Sequence, residues 1–226
     1  MFNSSLVPHL CPIMEGSMNN ICGIILEGYS HTGKTSILKA LKQVQAKHNN
    51  ERSVIVLSEH YTQVLHRTSG GLRKLTQAEH LRLLKERVSM LQSFNTWAKK
   101  TGQPEKNSNK LFFILERFHL NHRVSFSDSL TEEISSLEND LLTINAKCVL
   151  LTVSADIGER IMSRNKSEWV GDKKKDLKLE SERLLERQKE YRIQAERSSV
   201  PTIELNTDGK EWLSYAEQMY NLNEKT

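Results

Sequence analysis

Ile21-Cys22-Gly23-Ile24-Ile25-Leu26-Glu27-Gly28-Tyr29-Ser30-His31-Thr32-Gly33-Lys34-Thr35-Ser36-Ile37-Leu38 is the stretch whose reading decides the fold. Its first six residues are an apolar run, which reads as a strand buried on both faces in a parallel sheet. The segment Gly28 to Thr35 fits G-x-x-x-x-G-K-[ST] at every fixed position. From Ser36 onward Ile37, Leu38, Leu41 and Val44 recur at helical spacing, and a helix is predicted over roughly 34–48. Strand, glycine loop and helix in that order make the pattern a phosphate-binding loop.

The chemistry accounts for the spacing. Glycines let the backbone curl so that successive N–H groups face phosphate oxygens, and the helix N-terminus adds its positive dipole end. Lys34 is expected to reach the β- and γ-phosphates, and the Thr35 hydroxyl to hold Mg²⁺. Gly28, Tyr29, Ser30, His31, Thr32, Gly33, Lys34, Thr35 and Ser36 are therefore the expected nucleotide-binding residues, with ATP and Mg²⁺ as cofactors.

Composition bounds the rest. At 226 residues, 37% hydrophobic and 27% charged, the chain suits one helix-rich domain. A net charge of +4 is mild, and a polyphosphate pocket accounts for it as well as nucleic acid does. Cys11, Cys22 and Cys148 form no C-x-x-C pair, which points to a reducing cytoplasm. No apolar run approaches a membrane span. Residues 1–20 read as a flexible tail without a signal-peptide pattern, and 21–226 as a single domain.

Further strands are expected at 53–57, 111–115, 147–153 and 201–205. Helices are expected at 78–100, 131–143 with Ser129 as N-cap, 156–164, 180–198 and 209–221. Residues 60–77 are expected to be a mobile basic loop. Alternating strands and helices give an α/β fold with a five-stranded parallel sheet flanked by helices.

Ligands of such sheets bind at the carboxyl ends of the strands. Glu59 follows the second strand, Glu116-Arg117 the third, and Arg160 and Arg164 follow the fourth. Glu116 is expected to support the metal and Arg117 to clamp the acceptor or the transferring phosphoryl group. Glu59 is placed to accept the proton of an attacking hydroxyl. Arg160 and Arg164, four apart on one helix face, can close over a triphosphate with Lys166 and Lys173-Lys174-Lys175 nearby.

The arrangement resembles the thymidylate kinase and deoxynucleoside kinase branch of the P-loop kinases. Leu26-Glu27-Gly28 resembles the family's opening E-G, and Glu116-Arg117-Phe118 its D-R-Y or E-R-S. The resemblance implies a P-loop NTPase fold with a lid, here about 165–178, entered through Arg160-Ile161-Met162-Ser163-Arg164. It implies Arg117 near the transferred phosphate, and Arg123 as the second arginine after E-R-S. Arg87, in Leu83-Leu84-Lys85-Glu86-Arg87, would then sit at the acceptor. The chain departs from the pattern at Ser30, His60 and Phe118, which leaves the acceptor open between nucleoside, nucleoside monophosphate and another small hydroxyl compound.

The expected function is ATP-dependent phosphoryl transfer to a nucleoside or nucleoside monophosphate, in a cytoplasmic enzyme with Lys34, Glu59, Arg117, Arg160 and Arg164 as its catalytic set. Glu59, Arg87, Arg117 and Arg123 are the expected substrate contacts. A regulatory nucleotide-binding protein on the same scaffold is the alternative. Asn165-Lys166-Ser167-Glu168 looks superficially like a guanine-reading N-K-x-D, but it follows a helix and ends in Glu. Glutamates interspersed among the basic residues of 160–192, with few aromatics, argue against nucleic acid. No membrane partner is expected, and a homodimer stays open.

Overall fold

In the structure, a computed structural model, residues 21–48, 53–68, 71–101, 110–126, 132–160 and 176–224 are described. Five parallel strands form the main sheet: β1 (Ile21–Glu27), β2 (Ser53–Leu57), β5 (Leu111–Glu116), β6 (Ala146–Thr152) and β7 (Thr202–Asn206), in the spatial order β2-β5-β1-β6-β7. β1 lies at the centre, with Ile24 opposite Ile114 of β5 and Lys147 of β6. The chain leaves β1 first toward one edge and later toward the other, so the loop after β1 stands at the point where the winding reverses.

Alternation along the strands separates two cores. Ile24, Leu26, Phe112, Ile114, Val149 and Leu151 face α1 (Lys34–Lys47) and the last helix, α7 (Trp212–Glu224), meeting Ile37, Leu41, Ala216, Met219 and Tyr220. Ile21, Ile25, Phe113, Leu115, Cys148 and Leu150 face α3 (Gln77–Thr101), α4 (His119–Ser125), α5 (Glu132–Thr143) and α6 (Asp176–Glu196). The stripe Leu81, Leu84, Val88, Leu91 on α3 is the helical periodicity of the sequence turned inward.

Several expectations change. The strand expected at 53–57 is an edge strand with Val54 36% exposed, because an apolar run does not say where in the sheet it pairs. Residues 60–77, expected as a loop, carry regular structure among the described residues. They contain α2 (Glu59–Thr62) and an antiparallel hairpin of β3 (Leu65–Thr68) and β4 (Gly71–Lys74). Lys74 closes the hairpin's end over the Phe126 ring, 5.3 Å from its centroid. Residues 119–125, for which no element is expected from the sequence, are α4. Helix α6 begins at 176 instead of 180, so the last residues assigned to the lid belong to a helix. The rest of that segment, Ser129 and residues 1–20 lie outside the described residues.

Helices α4 and α5 are joined by a buried ion pair. Arg123 Nε donates to Glu138 Oε1 at 2.6 Å and an Nη2 proton to Oε2 at 2.9 Å, while Ser198 Oγ and the Ser199 N–H fill the carboxylate's other positions. Burial opposes the Glu138 charge, but the Arg123 and Ser199 bonds outweigh it and hold the carboxyl below its usual range. Removing one partner strands the other in the core. Glu138→Ala is expected to cost about 3–5 kcal/mol in urea unfolding, and a loss under about 1 kcal/mol would contradict the assignment.

Candidate active site

The glycine loop owes its shape to two positions. Gly28 has φ +124°, and a Cβ there would lie 2.5 Å from the Leu151 carbonyl oxygen. Gly33 has φ +86°, and a Cβ would meet the Trp212 ring at 2.7 Å. Neither a side chain nor its backbone preference is accommodated. Between them Thr32 Oγ1 donates to the Tyr29 carbonyl at 3.0 Å. Helix α1 then starts with no side-chain cap and no acidic residue in its first turn, so its N–H groups and dipole face the cleft without internal competition.

Lys34 is buried, and its Nζ donates to the Gly28 and Tyr29 carbonyls, both at 2.7 Å. Burial, and then the charge of Arg117, push its pKa down to about 7; Glu59, Glu116 and Glu27 pull the other way. Glu116 is raised by burial and by the Glu59 charge, and its Oε2 accepts the Glu59 backbone N–H at 3.3 Å.

Arg117 follows β5 in a left-handed conformation, φ +52°, which is uncommon for a residue with a side chain. Its Nε stands 2.9 Å from Glu59 Oε2, but the N–H is not aimed along that line, so this is a charge contact and not a formed hydrogen bond. One Nη2 proton is donated to Ser30 Oγ at 3.3 Å. Arg160 approaches from the opposite side, donating from Nη1 to Thr207 Oγ1 at 3.1 Å and from Nη2 to the Thr207 carbonyl.

These groups enclose a cleft of about 370 Å³. Ser30, His31, Gly33, Lys34, Thr35 and Ser36 form its floor, and Glu59, Arg117, Arg160, Lys210 and Trp212 its walls. Lys210 and Trp212 were missed from sequence. They follow β7, and the strand-end rule that points to Glu59 and Arg117 points to them as well. No cluster of three acidic, His or Cys groups able to hold a metal occurs among the described residues. Mg²⁺ held largely by water and phosphate oxygens needs only one or two protein donors; the Thr35 hydroxyl lines the cleft, whereas the Glu116 carboxylate, a hard oxygen donor of the kind Mg²⁺ takes, is buried behind the lining with Oε2 accepting the Glu59 N–H.

The remaining expected residues separate. Arg123 is not at the cleft: its guanidinium is buried and committed to Glu138, which corrects its reading as an acceptor anchor. Arg87 lies on α3 beside Glu86, 3.7 Å away, and does not line the cleft. Arg164 is outside the described residues.

Beneath the loop the fully buried Glu27 ends β1. Its Oε1 accepts the N–H groups of Phe118, Leu120 and Asn121 at 2.8, 2.9 and 3.3 Å, capping α4 from a distant part of the chain. His119 Nδ1 is 3.9 Å away, too far to bond, and burial pushes that histidine down to about 4. Nearby, His80 Nε2 lies 2.8 Å from the Thr62 carbonyl and His80 Nδ1 3.0 Å from His122 Nδ1. The carbonyl can only accept, so His80 donates to it from Nε2. Burial, followed by the neighbouring His80 and Arg123, pushes His122 down to about 3.

No protein-family model and no curated protein sequence matches the chain. Among solved structures, the YorR protein from Bacillus subtilis, solved in complex with phosphorylated GDP, superposes with a TM-score of 0.53 at 19% identity, covering 89% of this chain and 95% of YorR. Thymidylate kinase from Ehrlichia chaffeensis aligns at 0.44 and 11% identity over 91% of this chain and 98% of its own. The Candida albicans enzyme gives 0.45 and 15% over 90% and 91%. The YorR likeness establishes a shared fold, and the two looser overlaps add nothing to it. No described helix is long and apolar enough to cross a membrane.

Burial holds Glu27 up at about 7, against 4.5 in a free side chain, despite its backbone hydrogen bonds. Between those values the unfolded chain is ionised there and the folded chain is protonated. The Glu27 contribution to stability is therefore full below pH 4.5 and declines as pH rises toward 7. Relative to Glu27→Gln, the wild type is expected to lose on the order of 3 kcal/mol across that window and then level off. Parallel pH profiles of the two proteins, measured by urea unfolding, would contradict this.

Proposed function

We propose that the chain is a Mg²⁺-dependent P-loop kinase that transfers the γ-phosphoryl group of ATP to a nucleoside or nucleoside monophosphate. The observation that carries this reading is the convergence of Lys34, Arg117 and Glu59 on the open N-terminus of α1. Lys34 exchanges the Gly28 and Tyr29 carbonyls for phosphate oxygens, and the incoming negative charge raises its lowered pKa so that it stays an ammonium. Thr35 and Glu116 are the residues that would hold Mg²⁺, which when bound would supply charge neutralisation for the phosphates.

Arg117 and Arg160 face the cleft from two sides and offset charge on the transferring group. The acceptor oxygen bonds to the γ-phosphorus as the bond to the ADP oxygen breaks. With a hydroxyl acceptor, the proton goes to Glu59, which leaves Arg117 to do so. With a phosphate acceptor no base is required, and Glu59 only positions. Arg164 and the lid segment would close over the triphosphate, and Arg87 would reach the acceptor only if α3 or its side chain turns toward the cleft. YorR, on the same fold, was solved with phosphorylated GDP, so guanine nucleotides belong among the candidates tested.

The test is ADP production from Mg-ATP against nucleosides, nucleoside monophosphates and unrelated hydroxyl compounds. Arg117→Ala is expected to lower kcat about 10²-fold or more with little change in the KM for ATP. Lys34→Ala should abolish turnover, and wild-type rates in it would remove the phosphate-loop assignment. With Glu59→Gln, stimulation by a nucleoside should be lost, whereas stimulation by a monophosphate should survive. ATP binding without stimulation by any acceptor would favour a regulatory nucleotide-binding protein instead.

A further inference from the structure

Arg117 holds its place through a backbone conformation that a non-glycine residue adopts at a cost. Something must over-determine it, and the residues around the turn name the cause. The Arg117 N–H donates to the Leu26 carbonyl at 3.0 Å. The next three residues with inward N–H groups, Phe118, Leu120 and Asn121, all converge on the single oxygen Glu27 Oε1. Phe118, which caps α4, supplies no side-chain bond of its own. The last two residues of β1 therefore hold the backbone N–H groups of the turn between β5 and α4.

Those two residues also root the glycine loop, since Gly28 comes next and its carbonyl receives Lys34. One buried carboxylate thus fixes the guanidinium of Arg117 relative to the phosphate-binding backbone, although it touches neither. Resting on the phosphoryl-transfer reading above, we propose that Glu27 is the positioning residue for Arg117: its Oε1, accepting three backbone N–H groups, holds the β5–α4 turn so that the guanidinium meets Ser30 and Glu59 at the cleft.

The role is geometric and needs an acceptor oxygen at the right reach, which separates it from a role in charge. Glu27→Gln keeps the length and the acceptor oxygen but cannot ionise, whereas Glu27→Asp keeps an ionisable carboxyl and withdraws the oxygen by one methylene. The expected result is a kcat within about threefold of wild type for Glu27→Gln, and about 10²-fold lower for Glu27→Asp with the KM for ATP nearly unchanged. In an Arg117→Ala background, Glu27→Asp should add less than about twofold, because both changes remove the same interaction.

A second readout needs no turnover: ¹⁵N relaxation of the Arg117 Nε–H should report an ordered side chain in wild type and Glu27→Gln and a mobile one in Glu27→Asp. Wild-type kcat in Glu27→Asp, a Glu27→Gln loss as large as that of Glu27→Asp, or a Glu27→Asp loss that persists in full without Arg117 would each overturn the proposal. If Glu27→Asp fails to fold, a folded Glu27→Gln decides alone, supporting the clamp with an ordered Arg117 and high kcat and refuting it with a mobile one. A wild type that phosphorylates no acceptor removes the kinase reading, while the relaxation data still score the clamp.

Discussion

The ammonium of Lys34 is buried inside its own glycine loop, and the carboxyl end of the sheet is arranged around that charge. Two carbonyls 2.7 Å away accept two of its three protons, and Glu27, Glu59 and Glu116 surround it without forming a direct ion pair. A carboxylate in contact would neutralise the lysine and leave it with little to offer an incoming anion. Carbonyl dipoles hold it more loosely, and they are displaced without leaving a buried charge behind. On the proposed function, incoming phosphate oxygens take the place of those carbonyls.

The positions of the surrounding groups follow from the parallel sheet. The carboxyl ends of β1, β2, β5 and β7 deliver residues to the same rim, so Gly28, Glu59, Glu116-Arg117 and Thr207 become neighbours although they are far apart in sequence. The supports beneath them are polar and buried. Thr62 Oγ1 donates to the Glu116 carbonyl, and His80 donates to the Thr62 carbonyl, fixing the short α2 that carries Glu59. Burying histidines in neutral form and a glutamate with a raised pKa costs stability. Such a cost is common where side chains are held for chemistry.

Much of this could be read from the chain. The runs that became β1, β5 and β6 are apolar on both faces and α3 carries an uninterrupted stripe, so burial and periodicity gave the same answer. What failed was non-local. The edge position of β2 depends on which strand it pairs with, and no local pattern encodes that. α4 escaped notice because its cap is supplied by Glu27, 91 residues before Phe118. Arg123 looked like a ligand because its partner Glu138 sits on another helix. Lys210 and Trp212 were legible in principle, lying just beyond β7 where the strand-end rule points.

The central claim is that the loop from Gly28 to Ser36 is a phosphate cradle around Lys34. The most direct measurement is a titration of the wild-type protein with Mg-ATP, followed by amide NMR shifts. The account predicts saturable binding with the largest shifts at residues 28–36 and the Lys34 ammonium moving off the Gly28 and Tyr29 carbonyls. Absence of saturable binding at millimolar Mg-ATP, or shifts centred elsewhere on the molecule, would contradict it.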